Sequence, residues 1–142
     1  MPTTSPSRKD LDRLVNEPGR VQALRKAIFA VADGLAPAID LCRIYADGLD
    51  NLPRDGRFLL VGNHTLSGAA EIVLIPYFVH RELGVRVRGL ASTQVADMNG
   101  VVRDVVEAAG AVLGHPDTCA ELMRQGETLL VFPGGGRDML KF

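Results

Sequence analysis

Four short apolar runs, Phe58 to Val61, Val85 to Leu90, Gly110 to Leu113 and Thr128 to Phe132, alternate with longer segments whose apolar residues recur at helical spacing. A strand buries its face only against another layer, and intervening helices supply that layer, so the alternation predicts an α/β fold, a sheet flanked by helices. The uninterrupted apolar text of Phe58 to Val61 predicts a buried strand. Val85 to Leu90 alternates Val and Arg, as a half-exposed strand would.

The helical segments carry their own punctuation. Ala69 to Leu83 has the apolar density of a helix, with Pro76 as a kink or break. Val95 to Ala109 puts Val95, Met98, Val102, Val105 and Val106 on one stripe, and Pro116 opens a helix that Gly126 ends. Upstream, Val21, Leu24, Ile28, Val31 and Leu35 define an amphipathic helix at about residues 19–34. Its polar face bears Arg20, Arg25 and Lys26, which suit either solvent or lipid headgroups. Ile39 to Tyr45 fits a short helix or a strand, and Gly48 to Gly56 is turn chemistry.

At 142 residues the chain suits one domain, with residues 1–18 as a flexible N-terminus and 19–142 as the folded unit. A net charge of −1 gives no pull toward nucleic acid. Cys42 and Cys119 stand alone, so neither a disulfide framework nor a zinc pattern is expected, and no metal. The N-terminus lacks the apolar core of a secretory leader. Ile72 to Val79 is far short of the roughly 20 apolar residues that span a bilayer. A cytoplasmic protein, in peripheral contact with a membrane at most, is expected.

Two loops carry the chemistry. Asn63-His64-Thr65-Leu66-Ser67-Gly68 follows a strand, where sites in open sheets are found. An imidazole there can accept a proton at neutral pH, with Glu71 as the nearest downstream acid to fix its tautomer. The plainer role for His64 is to cap the helix or to bond the strand end. Phe132-Pro133-Gly134-Gly135-Gly136-Arg137-Asp138 follows the last strand. Its glycines admit close backbone approach to an anion, and Arg137 adds a planar cationic fork, although a tight turn alone would use the same residues.

In this order, about 70 residues apart, the two segments resemble the glycerolipid acyltransferase (PlsC-like) family. The resemblance covers about residues 43–142 and extends to Gly48 to Pro53 and Gly110 to Gly114. It implies a PlsC-like acyltransferase sheet flanked by helices and cut short at the C-terminus, because the family's last motif should lie beyond Phe142. The Pro-Gly-Gly-Gly-Arg-Asp text looks most like the diacylglycerol acyltransferase and phytyl ester synthase branches. The family's acid stands five positions after the histidine, where this chain has Ala69, so Glu71 or an out-of-register acid must substitute. The middle motif lacks its phosphate-binding arginine, which fits a neutral acceptor or lost activity.

What the resemblance implies is acyl transfer from acyl-CoA or acyl carrier protein to a lipid alcohol, without a further cofactor. His64 and Glu71 would be the catalytic pair, and Asn63, Gly134, Gly135, Gly136 and Arg137 would bind substrate. A second reading is an inactive or truncated acyltransferase-like module that binds lipid or a partner. Ser67 as a nucleophile is disfavoured, since no Gly-x-Ser-x-Gly elbow surrounds it. A nucleotide-binding turn is disfavoured because the glycine loop lacks a lysine and the Gly-x-Gly-x-x-Gly spacing. His80 and His115 have no partner at metal-ligand spacing and are assigned to surface or capping roles.

Overall fold

The computed structural model describes residues 8, 9, 12, 17–41, 46–63, 69–91 and 100–134. Two helices come first, α1 (Gly19–Gly34) and α2 (Ala36–Leu41), then a 3-10 turn at Leu49–Asn51. Strand β1 (Leu59–Val61), helix α3 (Ala69–Leu83) and strand β2 (Val87–Ala91) follow. The remaining elements are α4 (Gly100–Ala108), β3 (Ala111–Leu113), α5 (Pro116–Arg124) and β4 (Thr128–Val131). The four strands form one parallel sheet in the order β1-β4-β2-β3.

The α/β architecture expected from the sequence is therefore present, and the order of strands says which helix lies on which face. Crossovers β1-α3-β2 and β2-α4-β3 step in one direction along the sheet, whereas β3-α5-β4 steps back. Right-handed connections then put α3 and α4 on one face and α5 on the other. The packed side chains agree for α3 and α5. Val79 of α3 meets Val87 and Leu130, with Leu60, Ile75 and Phe132 packed around them. Leu122 of α5 meets Val112 and Leu129, with Leu90 and Cys119 beside them. Adjacent residues Leu129 and Leu130, at 1% and 2% exposure, thus serve opposite faces. Burying each stabilises the fold by about 1.5–3 kcal/mol.

Two strands exchange the environments expected of them. β1 pairs only with β4 among the described residues, and Leu59 and Val61 are 46% and 64% exposed. β2 is interior, between β4 and β3, and Arg88 is 3% exposed. The apolar text of β1 has no helix over its Leu59 and Val61 side among the described residues. Arg88 of β2 and Arg86 just before the strand instead face Glu17, whose carboxylate lies 3.4 Å from Arg86 and 3.7 Å from Arg88. Glu17, within the N-terminus read as flexible over residues 1–18, has a side chain only 7% exposed and also binds Arg25 at 2.6 Å.

The helices follow the sequence in place more than in burial. α3 runs through Pro76 without a break; proline removes one internal hydrogen bond, and packing on β2 holds the rest. α4 begins at Gly100, so Val95 and Met98 of the expected stripe lie outside the described residues. Its Val102 and Val105 are 58% and 43% exposed. On α1, Val21 is buried but Val31 and Leu35 are 62% and 53% exposed. α1 packs on α4, with Arg20 3.1 Å from Asp104, and on α3, where Phe29 meets Tyr77 edge-on at 6.0 Å. The Tyr77 hydroxyl donates to Asp33 at 2.9 Å. The segment read as helix or strand from Ile39 starts inside the helix α2.

Gly110, at φ 96°, turns the chain from α4 into β3, and a Cβ there would overlap the Val87 carbonyl oxygen. Gly110→Ala should therefore cost about 2–4 kcal/mol, from backbone strain and a forced shift of β2, read as a lower urea midpoint. Burial raises the Tyr77 pKa above its ordinary value, helped by the bond to Asp33 and its charge and opposed by Arg81. The fold prefers the neutral phenol, so its contribution is complete below the unfolded-state pKa of about 10 and is lost as pH rises through the folded value. Urea unfolding at about pH 9 and about pH 11 should show a smaller alkaline loss in Tyr77→Phe than in the parent.

Candidate active site at the carboxyl ends of β1 and β4

β1 and β4 are neighbours in parallel register, Leu59 with Leu129, Leu60 with Leu130 and Val61 with Val131. Because they run in the same direction, the loops that leave them emerge side by side at the carboxyl edge of the sheet. One is Gly62-Asn63-His64; the other is Phe132-Pro133-Gly134 and the glycines beyond. The pairing continues one step past the strands, where the Gly62 amide donates to the Val131 carbonyl at 3.1 Å. Ligands of open α/β sheets bind in this position, outside the carboxyl ends of strands.

Phe132 fixes the second loop. Its ring packs into the cluster around Val79, Val87 and Leu130, so the chain entering the glycine turn is anchored in the core under α3. The ring also lies over Gly62, where an added Cβ would be 3.2 Å from Cε1. Gly62 therefore has a role that sequence reasoning missed. It lets the aromatic anchor of one loop lie directly on the backbone of the other, and the only sequence signal was a glycine between an apolar strand and a polar loop.

Of the expected site residues, Asn63 is exposed after β1, and Gly134 is half-buried in the turn after β4. Glu71 is half-buried in the first turn of α3, the helix that follows the histidine loop. A carboxylate there also stabilises the helix N-terminus, which is its plainer role. His64, Gly135, Gly136 and Arg137 lie outside the described residues, as does Ser67.

The other two histidines are accounted for locally. His115 caps α5, its Nδ1 accepting from the Asp117 amide at 3.2 Å. His80 stacks near Phe29 at 5.0 Å and places Nδ1 3.3 Å from the Val85 carbonyl oxygen. Burial pushes the Cys119 thiol up, away from thiolate chemistry. No group of metal-ligating side chains occurs among the described residues.

Residues 43–140, more than half of the chain, match the family described as Acyltransferase. The chain belongs to the acyltransferase family. Its curated relatives include the uncharacterized proteins Rv0502 of Mycobacterium tuberculosis and Mb0514 of Mycobacterium bovis, each 30% identical over 101 residues. That alignment covers 70% of this chain and 28% of each relative, so the chain spans less than a third of the proteins it matches. No solved structure gives a significant match. The acyltransferase match covers both loops, the four strands and helices α3 to α5, and leaves α1 and α2 outside it.

Gly62→Ala tests the coupling between the loops. The methyl group must displace the Phe132 ring, which should cost about 1–3 kcal/mol and shift the amide resonances of Gly134 and its neighbours more than those of β3.

Proposed function

We propose that this acyltransferase moves a fatty acyl group from acyl-CoA or acyl carrier protein to the hydroxyl of a lipid alcohol, with His64 as general base. The observation that supports it best is the β1–β4 register, which brings the histidine loop and the glycine turn out of the sheet as neighbours. In this reading His64 takes the hydroxyl proton as the oxygen attacks the thioester carbonyl. The ester C–O bond forms, the C–S bond breaks, and the departing thiolate recovers the proton from the imidazolium. Glu71 orients the imidazole and stabilises its charge. Asn63 and the amides of Gly134, Gly135 and Gly136 offer donors to the developing oxyanion or to the donor's phosphates, with Arg137 as the fixed cation.

The neutral acceptor of the diacylglycerol acyltransferase or phytyl ester synthase branch suits the Gly110 to Gly114 segment, which carries no arginine. No described helix is long and apolar enough to cross a membrane. Peripheral contact is favoured by exposed Val31, Leu35 and Leu41 near the end of α1 and on α2, and by Val101 and Val102 on α4. The competing reading, a module that binds lipid without turnover, is favoured by Ala69 in place of the family's acid.

Labelled acyl-CoA with mixed mono- and diacylglycerols separates the two. Ester formation should fall about 10²- to 10⁴-fold in His64→Ala, while Glu71→Gln gives an intermediate rate. Arg137→Ala should raise KM for the acyl donor more than it lowers kcat. A parent rate no higher than that of His64→Ala would remove the enzymatic reading.

A further inference from the structure

A cavity of about 250 Å³ lies among α1, the end of α3 and the end of α4, at the amino ends of β2 and β3. It is thus at the opposite end of the sheet from Asn63 and Gly134, which follow the carboxyl ends of β1 and β4. Phe29, Pro76, Val87, Ala108 and Ala109 line it, and its surface is mainly carbon although Arg25, Lys26 and Arg86 also contribute. Long cationic side chains give such a surface when they present their methylene stems and send the charge elsewhere.

For two of the three the charge is already matched. Glu17 lies 2.6 Å from Arg25 and 3.4 Å from Arg86, and Glu127 adds its negative charge beside Arg86. His80, also in the lining, has Nδ1 3.3 Å from the Val85 carbonyl oxygen and its ring against Phe29. Lys26 differs. It is exposed on α1 and pairs with no carboxylate among the described residues. A carbon-walled hollow with an unpaired ammonium at its rim fits a molecule that is apolar at one end and anionic at the other. An apolar cavity of about 150 Å³ holds a six-carbon ring, so one of about 250 Å³ has room for a chain of roughly eight carbons.

We propose that this cavity binds a medium-chain alkyl carboxylate, its chain against Phe29, Pro76 and Val87 and its carboxylate at the Lys26 ammonium. Apolar walls offer water few partners, so removal of the chain from water drives binding, and the exposed ion pair adds a smaller share. A bare inorganic anion gains nothing from the carbon walls, and a neutral hydrocarbon leaves Lys26 without a partner. Bound there, the ligand would join α1 to α3 and β2, at a site separate from the acyl-transfer loops.

The test is titration of the 142-residue chain with octanoate, kept below micelle formation and followed by amide NMR shifts. Saturable shifts at Gly84, Val87, Ala109 and Gly110 are expected. Butyrate should bind about tenfold to a hundredfold more weakly, each methylene removed costing about two- to fourfold. Lys26→Gln, a change at an exposed position, should weaken octanoate about two- to fivefold and leave the binding of 1-octanol unchanged. His64→Ala should bind octanoate as the parent does. Shifts confined to Asn63 and Gly134, equal affinity for butyrate and octanoate, or an octanoate affinity unchanged in Lys26→Gln would overturn the proposal.

Discussion

The parallel ladder between β1 and β4 is what everything at the carboxyl edge depends on. Three paired residues on each strand, extended by the bond from Gly62 to Val131, join segments some 70 positions apart in the chain. Closing so long a loop costs entropy, which the ladder's few hydrogen bonds do not offset alone. The offset comes from β4 itself, whose Leu129 and Leu130 are buried against opposite helical layers. Thr128 adds a hydrogen bond at the strand's other end, its hydroxyl donating to the Gly56 carbonyl at 2.5 Å. β4 is thus the wedge of the sheet, inserted between β1 and β2, and Phe132 to Gly134 leave directly from its end.

The opposite edge is organised by charge rather than by apolar packing. Glu17 is buried among arginines from α1 and β2, and a buried ionic group is tolerated only where its partners are also held. That arrangement fastens the start of α1 to the entrance of β2, while Phe29, Tyr77 and Asp33 fasten the rest of the helix to α3. The acyltransferase match begins at residue 43, so α1 lies outside the matched segment and is joined to it by both kinds of contact.

Much of the architecture was legible in the text because its signals are local. Pro116 and Gly126 bracket α5, and the apolar run from Thr128 marks β4 almost to the residue. Burial was less legible. Phe58 to Val61 looks like an interior strand and lies at an edge of the described sheet, whereas the arginine-bearing β2 is interior. Periodicity reports which residues prefer water, and a charged residue whose partner comes from elsewhere in the chain defeats that inference.

The sequence by itself determined the alternation of strands and helices and the chemistry available in the two loops, because helix punctuation, apolar runs and side-chain reactivity belong to consecutive residues. Only the tertiary structure decided that β4 inserts beside β1, that Phe132 lies on Gly62, and that Glu17 gathers Arg25, Arg86 and Arg88. Each of those is a contact between distant positions, set by which packing of the same elements buries the most apolar surface while leaving the fewest charges unpaired.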